Sequence, residues 1–223
     1  GVLGYQNVNM MENLPNTRDG WAPVTYNSFY ERGTFRFGAD LGNGIVGGDF
    51  ESPSTNGFKL LGYWNLADMT GNAMIGWAYP TGCASSNNCA GVDKPIKTWG
   101  LRFGWNDART TPLPTVFGSV KFDAGVWNTY EVYMVMNTQN SDGSYNADGV
   151  LKAWINGQLS INRSDLAIRD SIWPHGFYGR HVNPIMGGSC PPAPADCTKN
   201  RADVIQFGKI YASVGSVQTG TPP

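Results

Sequence analysis

Both histidines of the chain fall in one stretch, Trp173-Pro174-His175-Gly176-Phe177-Tyr178-Gly179-Arg180-His181, together with a tyrosine and an arginine. These side chains move protons and hold anions near neutral pH, because imidazole titrates at about pH 6.5 and guanidinium forks onto carboxylates. A long polar surface loop, with His and Arg in capping roles, is the alternative reading of the same stretch. A second candidate is Asp49 with Glu51. A spacing of two puts both carboxylates on one face of a strand, the arrangement with which sandwich glycosidases flank a scissile bond. The run from Pro53 through Ser54, Thr55 and Asn56 to Gly57 favours a plain polar loop there. The third group is aromatic. Trp64 follows Gly62-Tyr63 and Trp105 precedes Asn106-Asp107; flat rings suit stacking on sugars while a neighbour such as Asn106 bonds the hydroxyls, and the other tryptophans divide between core and groove. Among only 16 Lys and Arg, Lys59, Arg102 and Arg180 are the natural partners of an acidic glycan.

Several chemistries have no local support. The chain lacks G-x-S-x-G, H-E-x-x-H, a phosphate-binding P-loop and a G-x-G-x-x-G that opens a helix. Two histidines cannot build a three-histidine metal site. A formal net charge of -1 and the lack of any Lys/Arg run argue against nucleic acid. No stretch approaches the ~18 apolar residues of a membrane span, so a soluble protein is expected. No cofactor is indicated. A structural Ca2+ is the one metal the Gly-rich loops have oxygen donors for, as in Asn140-Ser141-Asp142-Gly143-Ser144, where a plain turn is the commoner role. Asn162-Arg163-Ser164 is a glycosylation acceptor in a secreting eukaryote and otherwise a turn.

The four cysteines form two close pairs, Cys83 with Cys89 and Cys190 with Cys197. Neither has the spacing of a zinc knuckle, and the Ser/Asn-rich and Pro-rich residues between them suit surface loops closed by disulfides. Two disulfides imply an oxidising compartment, so a secreted or periplasmic protein is expected.

These residues need a scaffold, and the pattern around them is that of strands. Only 15% of residues are charged, against about 25% in an ordinary domain, while 41% are apolar, so the 223 residues should fold around one core. Tyr30 to Phe37 alternates aromatic with polar or small residues. Similar stretches run over Phe58 to Tyr63, Asn72 to Tyr79, Thr98 to Trp105, Thr115 to Phe122, Tyr130 to Asn137, Val150 to Ile155 and Val204 to Val214. Turn signals separate them, clearest at Asn156-Gly157, which predicts a two-residue hairpin. Only Ser164 to Ser171 has room for a helical turn. The expectation is all-β: one antiparallel two-sheet β-sandwich domain over 1–223, with residues 1–28 as an extended segment and first strand and 215–223 as a flexible tail.

The order of segments from Tyr30 to Ala212 resembles polysaccharide lyases of family 14 and related alginate and glucuronan lyases. Their Gly-Lys-Leu-Pro-Gly segment looks like Phe58-Lys59-Leu60-Leu61-Gly62, and their Trp-Ser-x-Arg strand looks like Trp99-Gly100-Leu101-Arg102. Gly125-Val126-Trp127, Asn137-Thr138, Gly149 to Gly157 and Ile185-Met186-Gly187-Gly188-Ser189 match later motifs in the same order. The resemblance implies a concanavalin-like jelly roll whose concave sheet binds an acidic polysaccharide, with Lys59 and Arg102 masking the uronate carboxylate. β-Elimination needs that masking, plus a base and an acid at the leaving oxygen. Gly100 stands where the family has Ser, and Thr115-Val116-Phe117-Gly118-Ser119 replaces its Tyr-x-Tyr pair. A lyase would then need a base from elsewhere, for which Tyr178, His175 and His181 are the candidates, or else the fold and groove persist with the lyase chemistry lost or replaced.

Three functions follow as expectations. The first is a secreted, monomeric polysaccharide lyase acting on a uronate-containing polymer, with Trp64, Trp105, Asn106 and Arg180 binding substrate. The second is a non-catalytic carbohydrate-binding module or lectin. The third is a glycoside hydrolase on a neutral glucan using Asp49 and Glu51.

Overall fold

The computed structural model describes residues 10–13, 26–37, 58–64, 73–80, 98–105, 115–171, 176–177, 179–186 and 205–215. Through them run β1 (Met10–Asn13), β2 (Ser28–Phe37), β3 (Phe58–Trp64), β4 (Ala73–Pro80), β5 (Thr98–Trp105), β6 (Val116–Asp123), β7 (Asn128–Val135), β8 (Gly149–Ile155), β9 (Gln158–Leu166), β10 (Gly179–Met186) and β11 (Ile205–Gly215). None of the described residues is helical, and among them no helix is long and apolar enough to cross a membrane. The strands build two antiparallel sheets, in the orders β1-β10-β3-β4-β5-β6 and β11-β2-β7-β8-β9.

Period-two patterning explains both sheets. Along β7 and β8 every second residue is buried, so Tyr130, Val132 and Met134 face Leu151, Ala153 and Ile155 on one side of the five-stranded sheet. From the other sheet Leu61, Tyr63, Trp99, Leu101 and Phe103 close the core. Phe35 meets Phe122 edge-on at 5.0 Å and Phe29 meets Tyr63 at 5.1 Å, contacts that tie the sheets together. Each such side chain contributes roughly 1.5–3 kcal/mol by leaving water. At one edge the sheets nearly touch: Ser160 Oγ accepts from the Val120 amide at 3.1 Å, and a Cβ on Gly118 would lie 2.4 Å from that oxygen.

The sequence pattern places β2 to β8 and β11 to within one or two residues, and the Asn-Gly hairpin forms as predicted. Asn156 and Gly157 both take positive φ, 51° and 75°, the primed turn that matches strand twist. Asn156 also caps the neighbouring strand, its Oδ1 accepting from the Thr129 amide at 2.8 Å. Two expectations fail. The Ser164–Ser171 segment forms no helical turn; strand β9 continues to Leu166, which pairs with Gly149 and is buried. The described end of the polar stretch around the histidines is not loop, because Phe177 is buried in the core and β10 begins at Gly179. Its His, Arg and Gly content hides a strand flanked on both sides by partners.

Candidate functional site

Alternation in β5 sends Trp99, Leu101 and Phe103 into the core, which leaves Gly100 and Arg102 on the opposite face of the six-stranded sheet. Antiparallel register extends that face into rows. In one row Lys59 pairs with Trp77, Trp77 with Arg102, and Arg102 with Phe117. In the next row Tyr79 pairs with Gly100 and Gly100 with Lys121. Lys59 and Arg102 therefore stand two strands apart, about 10 Å at ordinary strand spacing.

Gly100 shapes this face by what it lacks. A Cβ there would lie 2.5 Å from Cζ and 2.6 Å from Oη of Tyr79, so the phenol ring of β4 lies directly across β5. Its hydroxyl thereby reaches β6, where the Lys121 ammonium donates to it at 2.7 Å. The same ammonium sits 4.9 Å from the centre of the Tyr79 ring. Phe117 meets Tyr79 edge-on at 5.3 Å and lies 6.0 Å from the Arg102 guanidinium. Arg102 is 7% exposed, although Phe117 beside it is 52% exposed. Burial lowers the Arg102 pKa, and the adjacent Tyr79 oxygen offsets part of that. A guanidinium stays charged under such a shift, so the face holds a sheltered cation next to a tyrosine oxygen already engaged by a second cation. Such a set can hold a carboxylate and move a proton beside it.

The residues singled out from sequence distribute unevenly. Arg102 lies in the middle of this face, and Lys59 belongs to its register row. His181 pairs with Gly62, Gly62 with Ile75 and Ile75 with Gly104, a row of the same face. Its column is three strands from Arg102, about 14 Å. Trp64 pairs with Gly179. Arg180 instead pairs with Tyr63, whose side chain is buried, Tyr63 with Met74, and Met74 with Trp105, so Arg180 and Trp105 share the row of opposite parity. His175, Tyr178, Asn106, Asp49, Glu51 and the four cysteines, Cys83, Cys89, Cys190 and Cys197, lie outside the described residues. Trp99, counted among the aromatic residues shared between core and groove, is core at 1% exposure.

Sequence reasoning missed Tyr79 and Lys121. Tyr79 ends a recognisable alternation, Trp77-Ala78-Tyr79, and the signal that it carries chemistry is the glycine opposite, Gly100. That pairing is visible only once β4 and β5 are in register.

The Asn140–Ser144 loop has its oxygens turned on one another. Asp142 accepts from the Ser144 amide at 2.9 Å and from its hydroxyl at 2.6 Å, and Asn140 Nδ2 donates to Ser144 Oγ at 2.9 Å. Among the described residues no group of three or more His, Cys, Asp or Glu is placed to hold a metal ion.

No protein-family model matches the sequence, and no curated protein matches it. Similarities appear among solved structures. The chain is similar to alginate lyase Aly36B, at 13% identity and a TM-score of 0.48, over 92% of this chain and 71% of that one. It is similar to an alginate lyase from Chlorella virus, at 14% identity and a TM-score of 0.49, over 86% and 73%. It is also similar to the carbohydrate recognition domain of Emp47p, at 16% identity and a TM-score of 0.40, over 95% and 81%.

Proposed function

We propose that this protein binds a uronate-containing polysaccharide on the outer face of its six-stranded sheet and cleaves it by β-elimination. The observation that carries the reading is the cluster on β4, β5 and β6: a sheltered Arg102 beside a Tyr79 hydroxyl that accepts from Lys121 at 2.7 Å. Arg102, with Lys59 from the same row, neutralises the uronate carboxylate. That lowers the cost of the charge that develops when the neighbouring C5–H bond breaks. Reacting as the phenolate, with Lys121 donating to its oxygen, Tyr79 takes the C5 proton on Oη, and the electron pair left on carbon forms the C4–C5 double bond. The C4–O bond breaks with its electrons going to the glycosidic oxygen, which takes a proton returned by Tyr79, with Lys121 holding the phenol in place. Phe117, half-exposed beside them, offers a flat surface for a sugar ring.

Tyr79 replaces the histidines and Tyr178 as the proton carrier in this reading, because its hydroxyl is the described one positioned beside Arg102. The test is the purified chain with alginate, a glucuronan and polygalacturonate, followed by ultraviolet absorbance of the conjugated product and by new reducing ends. Both signals should rise together on at least one acidic polymer, and Tyr79→Phe should lower the rate by about 10²–10⁴-fold. New reducing ends without absorbance would replace the lyase with a hydrolase. Binding without either signal would leave a lectin.

A further inference from the structure

The second sheet also presents a face away from the core, on the far side of the molecule from Arg102. Its residues fall into two long rows. One runs Tyr211, Arg32, Glu131, Trp154; the other runs Ser213, Tyr30, Tyr133, Lys152, Asn162. At one end Arg36 bonds Gln206 at 2.7 Å and lies 5.2 Å from the ring of Trp127, and Lys209 lies 5.4 Å from the ring of Tyr211. Tyr211 is 55% and Trp127 50% exposed. Trp154, Tyr30 and Tyr133 are half-buried between them.

The charge on this face is uneven. Arg32, Arg36, Lys152 and Lys209 are its described cations, in a chain whose formal net charge is -1. Glu131 is the carboxylate of the two rows, and it is engaged from within the sheet, accepting from the Tyr30 hydroxyl at 2.7 Å and lying 4.0 Å from Arg32. Cations interleaved with rings whose faces suit sugars and whose hydroxyls bond them match an acidic glycan better than a neutral one.

We infer that this face is a second, non-catalytic binding surface for an acidic polysaccharide, able to hold a long polymer while the opposite face acts on it. It shares the ligand class of the proposed lyase but does not need the cleavage step. Two faces on one chain raise the apparent affinity for a long polymer and leave that for a short oligosaccharide unchanged, because only a long chain spans both. The interaction weakens as salt screens the exposed cations.

The experiment is native electrophoresis of the full chain through gels containing alginate, with dextran as the neutral counterpart, beside initial rates on an alginate tetrasaccharide. The unaltered chain should be retarded by alginate and not by dextran, less so at high salt. The double variant Arg32→Glu, Lys152→Glu should lose at least about tenfold in apparent affinity for the polymer while keeping its rate on the tetrasaccharide. The milder Arg32→Gln, Lys152→Gln pair, checked for an unchanged circular dichroism spectrum, guards against misfolding. Equal retardation by dextran, full retardation of both double variants, or complete loss of retardation in Arg102→Ala alone would each overturn the inference. Retardation that persists in a chain producing no unsaturated ends would remove the lyase and leave this surface standing.

Discussion

Replacing Gly100 by alanine should cost more in catalysis than in stability. The added Cβ would stand 2.5 Å from Tyr79 Cζ and 2.7 Å from Cε1, where carbon atoms ordinarily rest about 3.5–4.0 Å apart. The phenol ring, which is only partly buried, must therefore withdraw by about 1 Å. Its 2.7 Å bond to Lys121 then opens, and the edge contact with Phe117 at 5.3 Å loosens. The bond is worth roughly 0.5–1.5 kcal/mol and the ring contact a similar amount. For a chain of this size each kcal/mol moves the melting temperature by about 2–4 °C, so Gly100→Ala should melt roughly 5 °C lower. A catalytic group displaced by about 1 Å costs about 10²-fold in rate. Initial rates of unsaturated-product formation, read beside a calorimetric melt, test both numbers. A variant that melts as expected but turns over at the parent rate would refute the placement of Tyr79 in the chemistry, and one that melts unchanged would refute the close approach over Gly100.

The remaining predictions concern the scaffold. Tyr130→Phe removes the hydroxyl that donates to the Glu31 carboxylate, which is 1% exposed between the sheets, and should lower stability by about 1–3 kcal/mol in urea titrations. Asn156→Ala forces a Cβ residue other than Asn or Gly into φ 51° and forfeits the 2.8 Å bond from the Thr129 amide, so it should cost about 1–2 kcal/mol, whereas Asn156→Gly should cost less. Hydrogen bonds from the Thr138 hydroxyl and amide, both at 2.7 Å, hold the Asp148 pKa below its ordinary value. A depressed folded-state pKa stabilises above the unfolded value of about 3.9 and loses that contribution as the pH falls further. Melting curves of Asp148→Asn and its parent should accordingly differ most near neutrality and converge at strongly acidic pH; a constant gap across that range would contradict the assignment.

Much of the sandwich is legible in the sequence because its signals are local. Alternation in Tyr130 to Val135 and Val150 to Ile155 marks strands that are buried on one face, and Asn156-Gly157 names its own turn. Strand β10 escapes notice because Gly179-Arg180-His181 carries residues that sequence reasoning reads as chemistry or as loop. The site is less legible for a different reason. Arg102 stands out as one of few cations, but its partnership with Tyr79 and Lys121 depends on the register of three strands and on an absent side chain at position 100. A glycine read alone signals a turn; paired across a sheet with a tyrosine it signals room for a ring. Register likewise separates Trp64 from Trp105, which look alike in sequence and fall on rows of opposite parity.

On the proposed reading, the Arg102 face eliminates across a uronate linkage. The most direct test is product absorbance and reducing ends measured together on alginate, glucuronan and polygalacturonate, for the parent chain and for Arg102→Ala. Both signals should grow in step on at least one acidic polymer and fall by at least about 10²-fold in the variant. Parent activity that survives the loss of Arg102, or reducing ends that appear without absorbance, would contradict it.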